Sequence, residues 1–303
     1  MRKAIRYVLP ASLVLCIAGT SFGADAVKLR PMTAAYADDK AGQLKRPEGV
    51  AFFDEKSLLA VADSGNGRIQ LYTLTNERLN PGATIALPQL PYPVRVQVDP
   101  KGEILALDGK THRIARVTLS GEFKGYIEPV GVPSSGTVIP RSFKLDGKGN
   151  IYLLDVFTAR VLVLDPAGKF LRELPFPEKY GFFSDLAVDG NGTVYLVDSV
   201  KGRIFSAQRT ATAITPLSGS LKEDLYFPVS IAADNRGRLY LSDQNGNGIV
   251  ILGLDGSFRG RQSGMGWKEG LLRYPSALFV SDKGYLFVAD RENSRVQVFT
   301  IVQ

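Results

Sequence analysis

Two carboxylates and four basic side chains are the residues of this chain best suited by type to chemistry. Glu48 and Asp185 sit just inside recurring apolar segments, PEGVAF and FSDLAV, with Ser142, Ser184 and Ser230 at neighbouring points of the same pattern. Several oxygen donors of this kind suit a hard cation such as Ca2+, so Glu48 and Asp185 are the expected ligands if a metal is held. No other cofactor is expected. Arg95, Lys110, His112 and Arg141 form a basic group that would bind the carboxylate or phosphate of an anionic ligand. His112 is the only histidine, which excludes a multi-histidine zinc site and gives no basis for a Ser-His-Asp triad. No catalytic residue is assigned. No glycine-rich phosphate loop precedes a helix, since Gly246 and Gly248 lie in a turn.

These residues are carried by a repeat. Apolar runs end in Asp at Asp63, Asp108, Asp155, Asp198, Asp243 and Asp290, at steps of 45, 47, 43, 45 and 47 residues. An Arg follows five residues later in every copy but the fifth, where Gly248 stands instead. A period of this size marks a repeat architecture. Asp at the end of one strand and Arg at the start of the next would face each other across a short loop. The carboxylate would accept turn N–H groups and pair with the guanidinium. A residue needed for catalysis does not have to occur six times, so this pair reads as structural. The fifth turn, QNGNG, is expected to be looser and more mobile than the rest.

Each unit opens on a Pro before an apolar stretch (Pro47, Pro93, Pro140, Pro228, Pro275; Phe183 in the fourth copy). A tight turn of Asp, Gly, Asn and Lys follows, then the strand ending in the repeated Asp, a third strand, and a less regular fourth. Four short antiparallel strands per unit and six units predict an all-β, six-bladed β-propeller. No segment holds 3.6-residue apolar spacing for three turns, which argues against a helical solenoid. The last unit stops after its third strand, and VKLRPMTAAYA (27–37) belongs to no complete unit. This N-terminal strand is expected to complete the last blade and close the ring. The starts of the first strands and the loops after the repeated Asp residues would then share one face, where propeller ligands usually sit.

Pro-x-Gly-Val-Ala, Asp-x-x-Gly-x-Ile/Leu-Tyr-Leu/Val-x-Asp and the trailing Asn/Gly-x-Arg-Ile/Val resemble NHL repeats over residues 47–303. The spelling is closest at Ala289-Asp290-Arg291-Glu292-Asn293-Ser294-Arg295. The resemblance implies a six-bladed propeller and leaves function open, because such propellers host unrelated tasks. Related gluconolactonase and senescence-marker propellers hold a divalent metal with a Glu, an Asn and an Asp. Glu48-Gly49 resembles their first ligand segment, but the expected Asn partner is not evident. The lone His112 departs from the zinc site of the peptide-amidating lyases. The absence of RING-type cysteines departs from animal NHL proteins with tripartite motifs.

Residues 1–23 read as an export signal: Arg2, Lys3 and Arg6, then a mostly apolar Val8 to Gly19, then small residues before Ala24. The stretch is too short, and too interrupted by Pro10, to make a good membrane span. Cys16, the only cysteine, lies inside it, and Leu15 before it is not the small residue that lipidation prefers. The mature domain, 24–303, would carry no disulfide and no transmembrane span, and would be periplasmic or extracellular. Losing three positive charges with the signal takes the net charge from +7 to +4, with no Lys/Arg run, so nucleic acid is not an expected partner. Longer connections at 128–139, 175–183 and 260–274 hold aromatics beside basic residues. Tyr180, Phe182 and the only tryptophan, Trp267, are the expected interface anchors. The reading that follows is an exported scaffold binding a protein, peptide or glycan partner through loops on one face. The alternative is a metal-dependent, lactonase-like hydrolase with the cation at the channel mouth.

Overall fold

The structure, a computed structural model, describes residues 27–38, 42–133 and 137–302. The expected export signal and Cys16 lie outside the described residues. Six four-stranded antiparallel sheets form the chain, with one two-stranded ribbon of Ala37–Asp38 and Gly42–Gln43 beside them. The inner strands are Gly49–Phe53, Pro93–Val98, Pro140–Leu145, Phe183–Val188, Pro228–Ala233 and Pro275–Val280. Each pairs with the strand that ends in the repeated Asp: Leu58–Asp63, Ile104–Asp108, Ile151–Asp155, Val194–Asp198, Arg238–Asp243 and Tyr285–Asp290. Antiparallel pairing therefore gathers the loops after these Asp residues and the connections into the inner strands on one face, called the upper face below. Among the described residues no helix is long and apolar enough to cross a membrane.

The ring closes as the repeat pattern requires. Lys28–Ala35 forms the outer strand of the sixth blade, paired antiparallel with Arg295–Val302 from Lys28 opposite Val302 to Ala35 opposite Val296. A register shift between Pro31 and Thr33 accommodates the missing N–H of Pro31, which an outer strand tolerates.

The strands are apolar on both faces because each blade is covered on both sides. The hydrophobic core is a set of clusters, each between successive blades; Leu105 and Leu107 of the second meet Phe143, Leu153 and Leu162 of the third, for example. The first and sixth blades meet through Phe52 stacked on Phe287, ring centroids 4.4 Å apart. Serine hydroxyls add stitches between neighbours, donating to the carbonyl of the residue that opens the next blade. Ser64 reaches Pro93, Ser199 reaches Pro228, Ser242 reaches Pro275 and Ser276 reaches Pro47.

The repeated Asp residues are 0% exposed, and each carboxylate grips the loop entering its own blade. The donors are the backbone N–H groups of Lys45, Tyr92, Ile139, Gly181 and Phe182, Tyr226 and Phe227, and Arg273. A buried carboxylate needs such partners, and here they fix where each inner strand starts. The expected pairing with the following Arg holds in three blades: Arg68 with Asp63 at 2.6 Å, Arg160 with Asp155 at 3.5 Å, and Arg295 with Asp290 at 2.6 Å. It fails in the second, where Arg113 turns outward to Glu128 and lies 3.4 Å over the Tyr126 ring. Among the described residues Arg203 makes no ion pair with Asp198 either; that carboxylate is already held by four backbone N–H groups.

The fifth turn, expected to be loose, is tied down instead. Arg261, from the outer strand, donates to Asp243 at 2.7 Å in place of the arginine that Gly248 replaces. Gly246 is required by this arrangement, since a Cβ there would stand 1.8 Å from Arg261 Nη2. Asn247, buried in the same turn, accepts the Tyr274 N–H.

Candidate functional site

In the second to sixth blades the inner strand is out of register just after its opening residue, between Pro93 and Arg95, Pro140 and Ser142, Phe183 and Asp185, Pro228 and Ser230, and Pro275 and Ala277. A bulge re-aims side chains. Here it separates two rings. One residue past the opener, Arg141 faces the upper mouth; two past it, Arg95, Ser142, Asp185 and Ser230 face the axis, where each is at least nine-tenths buried. Gly49, at the same point of the first blade, admits no side chain, because a Cβ would meet Val94 O at 2.8 Å.

Asp185 is the hub of the axis. Ser142 Oγ donates to it at 2.5 Å, Ser230 Oγ at 2.8 Å and the Ile231 N–H at 3.1 Å, while Lys144 Nζ stands 3.6 Å away. Burial by itself would raise this carboxyl; Lys144, Arg95 and the two hydroxyls outweigh it and hold Asp185 below the ordinary carboxylate value. Lys144 is shifted down, by burial first and by Arg95, against the opposing pull of Asp185. The hub plugs the channel: a cavity of about 520 Å³ opens above it and another of about 470 Å³ below, with no lining residue in common.

The upper cavity is lined by residues of all six blades except the turn residues of the first and fourth: Glu48, Tyr92, Arg95, His112, Arg141, Phe182, Gln244 and Arg291 among them. Glu48 Oε1 accepts from Arg291 Nε at 2.7 Å, and its carbonyl accepts from Arg95 Nη1 at 3.0 Å. Arg95 also donates to the Val94 carbonyl, while its buried Nε has no partner. Arg141 lies 5.6 Å over the Phe182 ring. Although Arg141 is exposed to the cavity, the protein around it disfavours its charge, through loss of water first and the like charge of Arg95 second, only partly offset by Glu48 and Asp185. The lower cavity has the opposite character, with Asp54, Asp99, Asp146, Asp189 and Asp282 around Lys144. Most of those carboxylates cap their own tight turns, as Asp99 does by accepting the N–H groups of Lys101 and Glu103.

Of the expected anion-binding group, Arg95, His112 and Arg141 meet in the upper cavity. Lys110 stays outside its lining, with Nζ 5.7 Å over the Tyr92 ring at the rim. His112 is exposed and adopts left-handed backbone, φ 54°, in the turn after Asp108. The acidic pair does not fit a divalent cation. Glu48 is taken by Arg291, Asp185 by two hydroxyls, an N–H and Lys144, and Arg95 and Arg141 stand near both. Among the described residues no three His, Cys, Asp or Glu side chains converge on one point.

Of the expected interface residues, Trp267 is 76% exposed, and Phe182 is exposed at the cavity wall. Tyr180 packs locally instead, stacked on Phe183 with centroids 5.1 Å apart and edge-on to Phe176. Residues not anticipated are Tyr92, Gln244 and Arg291. The last two occupy the position directly after the repeated Asp, as do Gly109 and Val156, which also line the cavity. Variation at that one register is the signal that would have found them.

Residues 272–299 match the family model of the NHL repeat. Human E3 ubiquitin-protein ligase TRIM56 is 26% identical over 202 residues, covering 65% of this chain and 24% of TRIM56, so the match spans about a quarter of that relative's length. Virginiamycin B lyase from Staphylococcus aureus superposes with a TM-score of 0.62 at 15% identity, covering 91% of this chain and 100% of the lyase. A gluconolactonase from Xanthomonas campestris gives 0.64 at 14% identity, covering 86% of this chain and 87% of that one. At these identities the likeness speaks for the propeller fold alone.

Proposed function

We propose that this chain is an exported binding scaffold that docks a partner protein or peptide on its upper face. One observation carries the reading: large exposed apolar side chains gather on the loops of that face. Phe157 and Val200 follow the repeated Asp residues, Phe182, Tyr226 and Tyr274 lead into inner strands, and Met265 and Trp267 lie in the connection to the sixth blade. Tyr226 is 69% and Phe157 62% exposed, which local packing does not account for. Exposed aromatics beside arginines are the composition of interface cores, and Arg261 lies 5.6 Å over the Tyr226 ring in this way. The match of residues 272–299 to the NHL repeat is compatible with this role.

The test is site-specific photocrosslinking in the source cell. Photoreactive groups at Phe157, Tyr226 and Trp267 should yield the same crosslinked species. A group at Leu171, on an outer strand, should not. Equal crosslinking from Leu171, or none from the three loop positions, would overturn the scaffold reading.

A further inference from the structure

We propose that the upper cavity is a receptor for a carboxylate carried on an apolar stem, seated against Arg95 and Arg141, and that it anchors the partner on the face described above. The inference rests on the scaffold reading and adds the chemistry of what enters.

Three arginines face one glutamate in the cavity, and that glutamate is already engaged by Arg291. Among the described residues Arg95 and Arg141 make no salt bridge. Arg95 donates only to the carbonyls of Glu48 and Val94, and its Nε, in a side chain nine-tenths buried, has no partner. Buried donors are normally satisfied, and a guanidinium left short of acceptors costs stability unless something else supplies them. Arg141 meets only the face of Phe182, with the like charge of Arg95 working against it. Two neighbouring cations, neither of them ion-paired with a carboxylate among the described residues, in the lining of one pocket make an oxyanion receptor.

The shape restricts the ligand further. The upper and lower cavities share no lining residue, and the buried, mutually bonded Asp185, Ser142 and Ser230 line neither, so an entering group meets Arg95 and Arg141 rather than the hub. Val94, Ile139, Val156 and Phe182 supply walls that favour an apolar stem over a fully hydrated dianion. A volume of about 520 Å³ is in the range of small-ligand pockets and admits a short stretch of chain. A carboxylate from a chain terminus and one from an acidic side chain present the same group, and the experiment separates them.

Binding would be measured by calorimetry on the purified protein with four probes. These are N-acetyl-leucyl-leucine, with a free terminal carboxylate; N-acetyl-leucyl-glutamate as its α-amide, with a side-chain carboxylate only; N-acetyl-leucyl-leucine amide, with none; and inorganic phosphate. At least one carboxylate probe should bind at least tenfold more tightly than the amide, and the better of the two names the source. Arg141→Gln, at an exposed side chain, should weaken that binding at least tenfold with an unchanged melting temperature; Arg95→Gln should weaken it as much while also lowering the melting temperature, because the buried Arg95 bonds the Glu48 and Val94 carbonyls. Equal binding of the amide, tighter binding of phosphate than of either carboxylate, or full binding by a folded Arg141→Gln variant would overturn the proposal. Crosslinking from Tyr226 and Trp267 reads the scaffold separately. If it persists while no carboxylate binds, the inference falls and the docking face stands.

Discussion

Arg261 Nη2 lies 2.7 Å from the Asp243 carboxylate, 18 residues away in sequence and from the far edge of the same blade. It supplies the charge that Arg68 supplies to Asp63 in the first blade from the adjacent strand. Asp243 is 0% exposed, so the loss of this partner would leave a buried carboxylate with backbone donors alone. Arg261→Ala should lower stability by about 1–3 kcal/mol. Adding Gly248→Arg should return part of it, because Gly248 pairs with Asp243 as Arg68 pairs with Asp63. Denaturant melts of the two variants check both statements. A double variant no better than the single would show that Arg261 acts through its position on the outer strand.

Arg295 spends all three guanidinium nitrogens on hydrogen bonds. Its Nε donates to Asp290, Nη1 to Tyr36 Oη and the Trp267 carbonyl, and Nη2 to the carbonyls of Lys268 and Leu271. It thus ties the connection bearing Trp267 to the residue after the closing strand, at 1% exposure. Arg295→Ala should cost about 3–5 kcal/mol by leaving Asp290 buried and short of its charge partner. Arg295→Lys should recover little, since an ammonium cannot reproduce the fork. Thermal melts give the first number. Faster proteolysis within residues 263–274 of Arg295→Lys would report the second.

The closing strand buries Val27 and Ala35 and pairs along the length of Arg295–Val302. Removing residues 27–37 should cost several hydrogen bonds and this apolar surface, lowering the melting temperature by about 10 °C or more. Equal melting temperatures of the full and shortened proteins would contradict closure by this strand.

Asp185 carries a pH signature. Its folded carboxyl is held below the ordinary value, so the stabilisation is complete above the unfolded value of about 3.9 and is lost as pH falls through the lower folded value. Asp185→Asn should therefore destabilise by about 3–5 kcal/mol at pH 7, by stranding Lys144 and Arg95, and by clearly less near pH 3. Urea melts of both proteins at pH 7, 5 and 3 measure the gap. A gap constant with pH would mean that shape, not charge, is what Asp185 supplies.

Neither Ca2+ nor EDTA should shift the melting temperature of the protein, because Glu48 and Asp185 are each engaged by cationic side chains. A chelator-sensitive melt lost in Glu48→Ala/Asp185→Ala would restore the metal reading.

Much of the fold was legible in the chain because period, turn chemistry and alternation are local and occur six times. The repeated Asp residues, the opening Pro residues and the unfinished last unit together specify six blades and the strand that closes them. The chemistry at the mouth was legible only as candidates. Arg95 and Arg141 lie 46 positions apart in the sequence, and nothing local says that a recurring bulge turns one to the axis and the other to the mouth. A still larger separation hides Glu48 from Arg291, 243 residues away, whose guanidinium engages the acid. Tertiary structure decided these points because the ring places six distant strand starts around one axis. There, burial and neighbouring charge, which no single segment carries, settle whether a side chain is a plug, a strut or a ligand.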